Sequence, residues 1–275
     1  MKNLLSLFVA AIGLTAAPLV TAEVKPLNIL LINGGCCHDY DKQGPALKGI
    51  IETSLFAKVT IENGSNNKTD CTFKSFEKDG WAKGYDLIIH NECSANVKDK
   101  QYVERILKAH REGVPSVNIH CAMHSYRWGD FKKPVTIGDD NAGWFELIGL
   151  QSSGHGPKLP VEVKYTDKKH PITVGLKDWI TPVGELYNNI QLFDTATPLA
   201  NGSQTLKNGN KPEAVIVWTN IFGPKKVKTF SISVGHSTEE MLDPNFGVLL
   251  NRGILWTVGK MSDDGTPAAG YWTAK

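Results

Sequence analysis

Leu27-Asn28-Ile29-Leu30-Leu31-Ile32, followed at once by Asn33-Gly34-Gly35-Cys36-Cys37-His38-Asp39, is the stretch on which the reading of the fold turns. Six residues of almost unbroken apolar character suit a strand buried on both faces, and Asn-Gly-Gly then supplies the turn that ends it. A helix follows: Pro45 fits its first turn, and Leu47, Ile50, Ile51 and Leu55 recur at helical spacing. The alternation continues. Val59–Glu62 and Tyr85–His90 read as strands, Lys98–Glu112 as a helix stopped by Gly113, and Ser116–Ile119 as a further strand. Buried strands alternating with helices predict an α/β fold, a mainly parallel sheet flanked by helices. The C-terminal half is strand-rich, with candidates at Leu159–Tyr165, Leu186–Leu192, Ala214–Ile221 and Val227–Val234, and a last helix runs from Phe246 to Val258.

The ends divide the chain further. Met1-Lys2-Asn3 carries one positive charge before an apolar run from Leu4 to Val20, and Val20 and Ala22 occupy the −3 and −1 positions of a cleavage site. Residues 1–22 therefore read as a signal peptide, with the mature chain beginning at Glu23 and residing in the periplasm or outside the cell. Gly13, Thr15 and Pro18 interrupt the run, which falls short of the roughly 20 apolar residues of a membrane span. No stable membrane insertion is expected after cleavage. Residues 23–260 read as one domain and 261–275 as a loosely held tail. With 41% hydrophobic and 21% charged residues and a net charge of +2, the composition speaks against disorder, nucleic-acid binding and a polybasic membrane surface. The expected partner is a small neutral molecule, and a homo-oligomer is left open.

Five cysteines, Cys36, Cys37, Cys71, Cys93 and Cys121, leave at least one unpaired, and a disulfide such as Cys71 with Cys93 is allowed in an oxidising compartment. The absence of any C-x-x-C spacing argues against a zinc ribbon or a thioredoxin-like motif. Asn63-Gly64-Ser65, Asn67-Lys68-Thr69 and Asn201-Gly202-Ser203 read as surface loops.

The chemistry lies at the strand ends. Cys36, Cys37, His38 and Asp39 follow the first strand, His90 and Glu92 end the third, His120, Cys121 and His124 follow the fourth, and Gly235-His236-Ser237 follows the last. In a parallel sheet this rim is where ligands bind. His120 and His124, four apart, would share one face of a helix and could share a metal or a substrate. Gly35 lets backbone approach a ligand closely, while Asp39 could instead cap the next helix. His155 is placed in a loop, Glu185 at the start of a strand as a candidate base, His90 in the core, and His110 and His170 at the surface. A cysteine nucleophile at Cys121 is the rival reading, although its neighbours lack the small residues that a strained elbow needs.

Taken in order, Asn33-Gly34-Gly35 to His38-Asp39, Asn118-Ile119-His120 with His124, Trp144-Phe145-Glu146-Leu147-Ile148-Gly149 with His155, His170-Pro171-Ile172, Glu185-Leu186-Tyr187, Gly235-His236 and Arg252-Gly253-Ile254-Leu255-Trp256 resemble the ThuA-like, or trehalose-utilisation, domains. The resemblance covers roughly residues 27 to 260. It implies a flavodoxin-like fold similar to class I glutamine amidotransferases, with His120 where that superfamily carries its cysteine, and hence no glutaminase activity. It also implies a role with trehalose and related disaccharides, in pathways where a sugar is first oxidised to a 3-keto form. On that basis the expectation is an exported carbohydrate-active enzyme, a lyase or hydrolase on (3-keto) glycosides working by elimination, hydration, hydrolysis or isomerisation. A non-catalytic sugar-binding module and a Cys-dependent hydrolase are the alternatives. Catalytic roles are expected at His38, His120, His124, Glu185 and Tyr187, and substrate contacts at Gly35, Asp39, Glu92 and Ser237. A divalent metal such as zinc is expected on His120, His155 and His236, with no nucleotide cofactor. Gly184 and Pro224-Lys225-Lys226 depart from the family pattern.

Overall fold

The computed structural model describes residues 23–273, so the expected signal peptide lies outside the described residues. Nine strands form one sheet: β1 (Leu27–Gly35), β2 (Ala57–Asn63), β3 (Leu87–Cys93), β4 (Ser116–Ile119), β5 (Leu150–Tyr165), β6 (Trp179–Leu192), β7 (Ala196–Ser203), β8 (Glu213–Phe222) and β9 (Val227–Ile232). Five helices accompany them: α1 (Tyr40–Ser54), α2 (Lys100–Arg111), α3 (Gly143–Ile148), α4 (Thr238–Met241) and α5 (Pro244–Thr257). The strand order is β2-β1-β3-β4-β9-β8-β7-β5-β6. From β2 to β9 the pairs are parallel, and from β9 to β6 they are antiparallel.

The parallel half is built from side chains buried on both faces. Ile29 and Leu31 of β1 pack with Leu47 and Ile51 of α1 and Phe246, Leu249 and Leu250 of α5, whereas Leu30 and Ile32 pack with Val103, Ile106 and Leu107 of α2. One strand thus feeds two cores, which is why it reads as a continuous apolar run. Local signals set the helix starts: Asp99 accepts from the amides of Gln101 and Tyr102 ahead of α2, and Asp243 caps α5 with Pro244 following.

Several expectations need correction. α1 begins at Tyr40, where Lys42 and Gln43 already donate to the Asp39 carbonyl, so Pro45 stands in the second turn. β5 starts at Leu150, nine residues earlier than expected; bulges against β6 let Ser153-Gly154-His155-Gly156-Pro157 remain in the strand, and His155 is no loop residue. Asn201-Gly202-Ser203 belongs to β7, with Gly202 buried so closely between Ile216 and Val161 that a Cβ there would lie 2.8 Å from each. His110 is fully buried, not superficial, because it continues the apolar face of α2. The segment after Met261 is tied down as well. Tyr271 and Thr273 exchange backbone hydrogen bonds with Phe56 and Ser54, and Trp272 packs on the core. Among the described residues no helix is long and apolar enough to cross a membrane.

Candidate active site

Three imidazoles from three segments meet at the carboxyl ends of the central strands. His38 comes from the loop after β1, His120 from the turn after β4 and His236 from the loop after β9; one ring nitrogen of each lies within 4.8 Å of the others. Their orientation is set by backbone carbonyls. His120 Nδ1 donates to the Ser233 carbonyl at 2.6 Å, and His38 Nδ1 donates to the His236 carbonyl at 3.0 Å. Both rings therefore carry their proton on Nδ1 and keep Nε2 as a lone-pair donor. Burial, and then the neighbouring His120 and His236, lower the His38 pKa to about 3, so this ring is neutral at physiological pH.

Glu185 of β6 organises the group. One carboxylate oxygen lies 3.5 Å from His120 Nε2 and 3.4 Å from His236 Nδ1; the other lies 3.6 Å from His155 Nδ1. Burial alone raises this carboxyl, but His120 and His236 outweigh it and hold Glu185 below the usual carboxylate range. His120 Nε2 and His236 Nδ1 are buried and have no hydrogen-bond partner among the described residues. Imidazoles beside a carboxylate, two of them with Nδ1 fixed by a backbone carbonyl, fit a divalent cation in donor type. The geometry shifts the expected metal set: His120 and His236 stay, His38 replaces His155, and His155 stands on the outer side of Glu185 with 46% of its side chain exposed.

Two cavities open on either side of this cluster. One, of about 640 Å³, is lined by Cys121, His124, Arg127, His155, Lys158, Glu185 and Tyr187, and the other, of about 600 Å³, by Gly35, Asp39, Lys42, Gln43, Ser237 and Thr238. Both share Cys37, His38 and His236. Gly35, at φ +99°, sits so close to Cys93 that a Cβ would lie 2.3 Å from its carbonyl oxygen. Asp39 makes no side-chain cap and pairs with Lys42 at 2.7 Å, and Ser237 caps α4.

His120 and His124 do not act together as a helical pair. The turn after β4 is a short 3-10 helix, which sends His124 against Tyr187 in a parallel stack at 4.2 Å, with its Nε2 bonded to Ser152 at 2.9 Å. Burial holds His124 well below the ordinary histidine pKa and Tyr187 well above the ordinary phenol value. Glu92, expected to touch substrate, is fully buried elsewhere: it accepts from His90 Nδ1 at 2.8 Å and from the Tyr126 hydroxyl at 3.2 Å. β3 turns that side chain into the α2 side of the sheet. Cys121 does not suit a nucleophile, because its contact with Cys93 and its burial both push the thiol well above its ordinary pKa.

Sequence reasoning missed Arg127 and Lys158 on the cavity wall, and it missed Glu240. The Glu240 carboxylate accepts from the amides of Gly235 at 2.9 Å and His236 at 2.6 Å, pinning the loop that carries His236. Its signal was present: Ser237-Thr238-Glu239-Glu240 has capping-box spacing, and Ser237 Oγ accepts from the Glu240 amide. Glu240 also accounts for Gly184, since a Cβ there would lie 2.5 Å from the carboxylate.

Residues 28–257 match the family model ThuA, described as trehalose utilisation. The chain belongs to the ThuA family. That membership gives it a carbohydrate-related role. Among solved structures, a putative ThuA-like protein from Parabacteroides merdae is 20% identical with a TM-score of 0.64, over 91% of this chain and 98% of its own. A second putative ThuA-like protein, from Bacteroides uniformis, is 17% identical with a TM-score of 0.59, over 92% and 99% respectively. These likenesses show that the chain shares the α/β fold of those ThuA-like proteins, a large mixed sheet flanked by helices. No curated protein matches it.

Proposed function

We propose that this ThuA protein is an exported carbohydrate-active enzyme that carries out metal-assisted acid/base chemistry on a keto-sugar or glycoside. The observation that carries the reading is the convergence of His38, His120 and His236, the last two against the Glu185 carboxylate, at the junction of two cavities. His38, His120 and His236 would hold a divalent cation, which supplies a Lewis acid for a substrate carbonyl oxygen. A ketone at C3 of a glycosyl unit acidifies the C2 proton. His155, half-exposed on the cavity with its Nδ1 side against Glu185 and the Gly156 carbonyl, has Nε2 free to take that proton, and the carboxylate stabilises the imidazolium that forms. Expulsion of the group at C1 follows and leaves a C1–C2 double bond; Tyr187, kept protonated by burial, hydrogen-bonds the leaving oxygen, which takes its proton from solvent water.

The test uses mature protein recovered from the periplasm or medium, whose intact mass is expected to correspond to a start at Glu23. After equilibration with zinc, manganese or cobalt and desalting, one ion per chain is expected, and none in a folded His120→Ala/His236→Ala variant. Incubation with 3-keto trehalose, followed by NMR, should show loss of the C2 proton and release of glucose by the wild type. His155→Ala should lose turnover while retaining the ion. Metal-free protein without turnover would sink the proposal; sugar binding without turnover would favour an accessory module.

A further inference from the structure

Four of the five cysteines lie together beside the histidine cluster, although they come from three strand ends. Cys36 and Cys37 follow β1 and are joined to each other, which replaces the Cys71–Cys93 pairing that the sequence allowed; Cys71, Cys93 and Cys121 are free thiols. Cys93, at the end of β3, places its Sγ 3.5 Å from that of Cys36, and the sulfurs of Cys36, Cys37 and Cys93 all lie within 4.8 Å of one another. Cys121 packs against Cys93, and all four line the same cavity as His124 and Glu185. Cys37 is exposed, whereas Cys93 is buried, so the group reaches from the interior to the cavity mouth.

We propose that Cys36, Cys37 and Cys93 form a thiophilic metal site, closed while Cys36 and Cys37 are joined and opened by their reduction. A tetrahedral d10 cation with metal–sulfur bonds of about 2.3 Å holds its sulfurs about 3.8 Å apart; Cys36 and Cys93 already stand at 3.5 Å, and reduction frees Cys37 to move off Cys36 to that spacing. Three thiolates favour thiophilic cations such as Cd²⁺ and Zn²⁺; Zn²⁺ suits the imidazole and carboxylate set as well, so Cd²⁺ is the cation that tells the two sites apart. The fourth position opens onto the cavity. Opening needs two electrons and two protons. A dithiol donor supplies them and leaves as its own disulfide; a phosphine with water supplies them and leaves as the phosphine oxide. Binding then displaces the three thiol protons to solvent.

The test titrates the full chain with Cd²⁺, with and without prior phosphine treatment, and follows the ultraviolet thiolate-to-metal charge-transfer band, which imidazole ligands do not produce. Reduced protein is expected to take up one ion with the band, and untreated protein to show none. Cys37→Ser, at an exposed position, and Cys93→Ser should each cut the band by about a third and weaken binding by about tenfold or more. Cys71→Ser and His236→Ala, which leaves the turn at residue 120 unaltered, should keep it. A reduced wild type without the band, a band equal before and after reduction, or one undiminished in both Cys37→Ser and Cys93→Ser would overturn the proposal.

Discussion

Replacing His110 by glutamine tests whether a buried neutral histidine makes this fold acid-sensitive. His110 donates from Nδ1 to the Val114 carbonyl at 2.7 Å, and its Nε2 lies 3.1 Å from His90 Nε2 in the α2-side core. Burial, with His90 second, lowers its pKa from 6.5 to about 3. Between those two values the unfolded chain binds a proton that the folded chain refuses, so unfolding free energy rises with pH. This histidine's contribution is complete above about pH 6.5 and is lost as pH falls toward 3. At pH 5 the loss amounts to RT ln(1 + 10^1.5), about 2 kcal/mol, a substantial part of a domain's usual 5–15 kcal/mol. His38 and His124 act in the same direction, while Glu240, whose carboxyl burial pushes up, acts against them. The difference between wild type and variant isolates His110 from these. Urea denaturation should show His110→Gln less stable by about 1–2 kcal/mol at pH 8, where a buried hydrogen bond is disturbed, and equal to or more stable than wild type at pH 5. A gap of the same size at both pH values would refute the argument.

Two further outcomes concern packing. Gly253→Ala adds a Cβ 2.3 Å from the Phe230 ring, so the clash should outweigh the gain in helix propensity of about 1 kcal/mol and lower the melting temperature by a few degrees; a raised value would mean that the ring yields freely. Trp272→Ala should cost about 1–2 kcal/mol and speed hydrogen exchange at the Phe56 and Thr273 amides, which the C-terminal segment engages, and unchanged exchange would show that the segment is held without the indole.

The parallel half was legible because burial on both faces leaves a direct mark: LNILLI is an almost unbroken apolar run with no polar face to confuse with helix or loop. The start of β5 was not, because Ser153-Gly154-His155-Gly156-Pro157 carries turn-forming residues that bulges accommodate within a strand pair. His110 was misplaced by its polarity alone. Val103, Ile106 and Leu107 put it on the buried face, and its hydrogen bonds to Val114 and His90 allow it to stay there. The clustering of histidines at one rim was readable from strand ends, but the ligand set was not. It depends on a turn tighter than an α-helix after β4 and on which carbonyl each Nδ1 meets, and both are tertiary facts.

That same turn explains how two different donor sets can stand side by side. His120 occupies the left-handed region at φ +42°, and the sharp reversal sends its ring toward Ser233, Glu185 and His236. Cys121, one residue later, faces Cys93 and Tyr187. A helical continuation would have placed His124 beside His120; the observed turn stacks His124 on Tyr187 instead and leaves the inner positions to His38 and His236. The sharp turn after β4 is thus given to imidazole, and the adjacent thiol is buried in sulfur contacts that keep it protonated. Because backbone at residue 120 positions both groups, a substitution that relaxes its φ would disturb the thiols along with the histidines. Loss of function in a His120 variant therefore assigns a role to the imidazole only when the Cys93–Cys36 arrangement is shown to be intact.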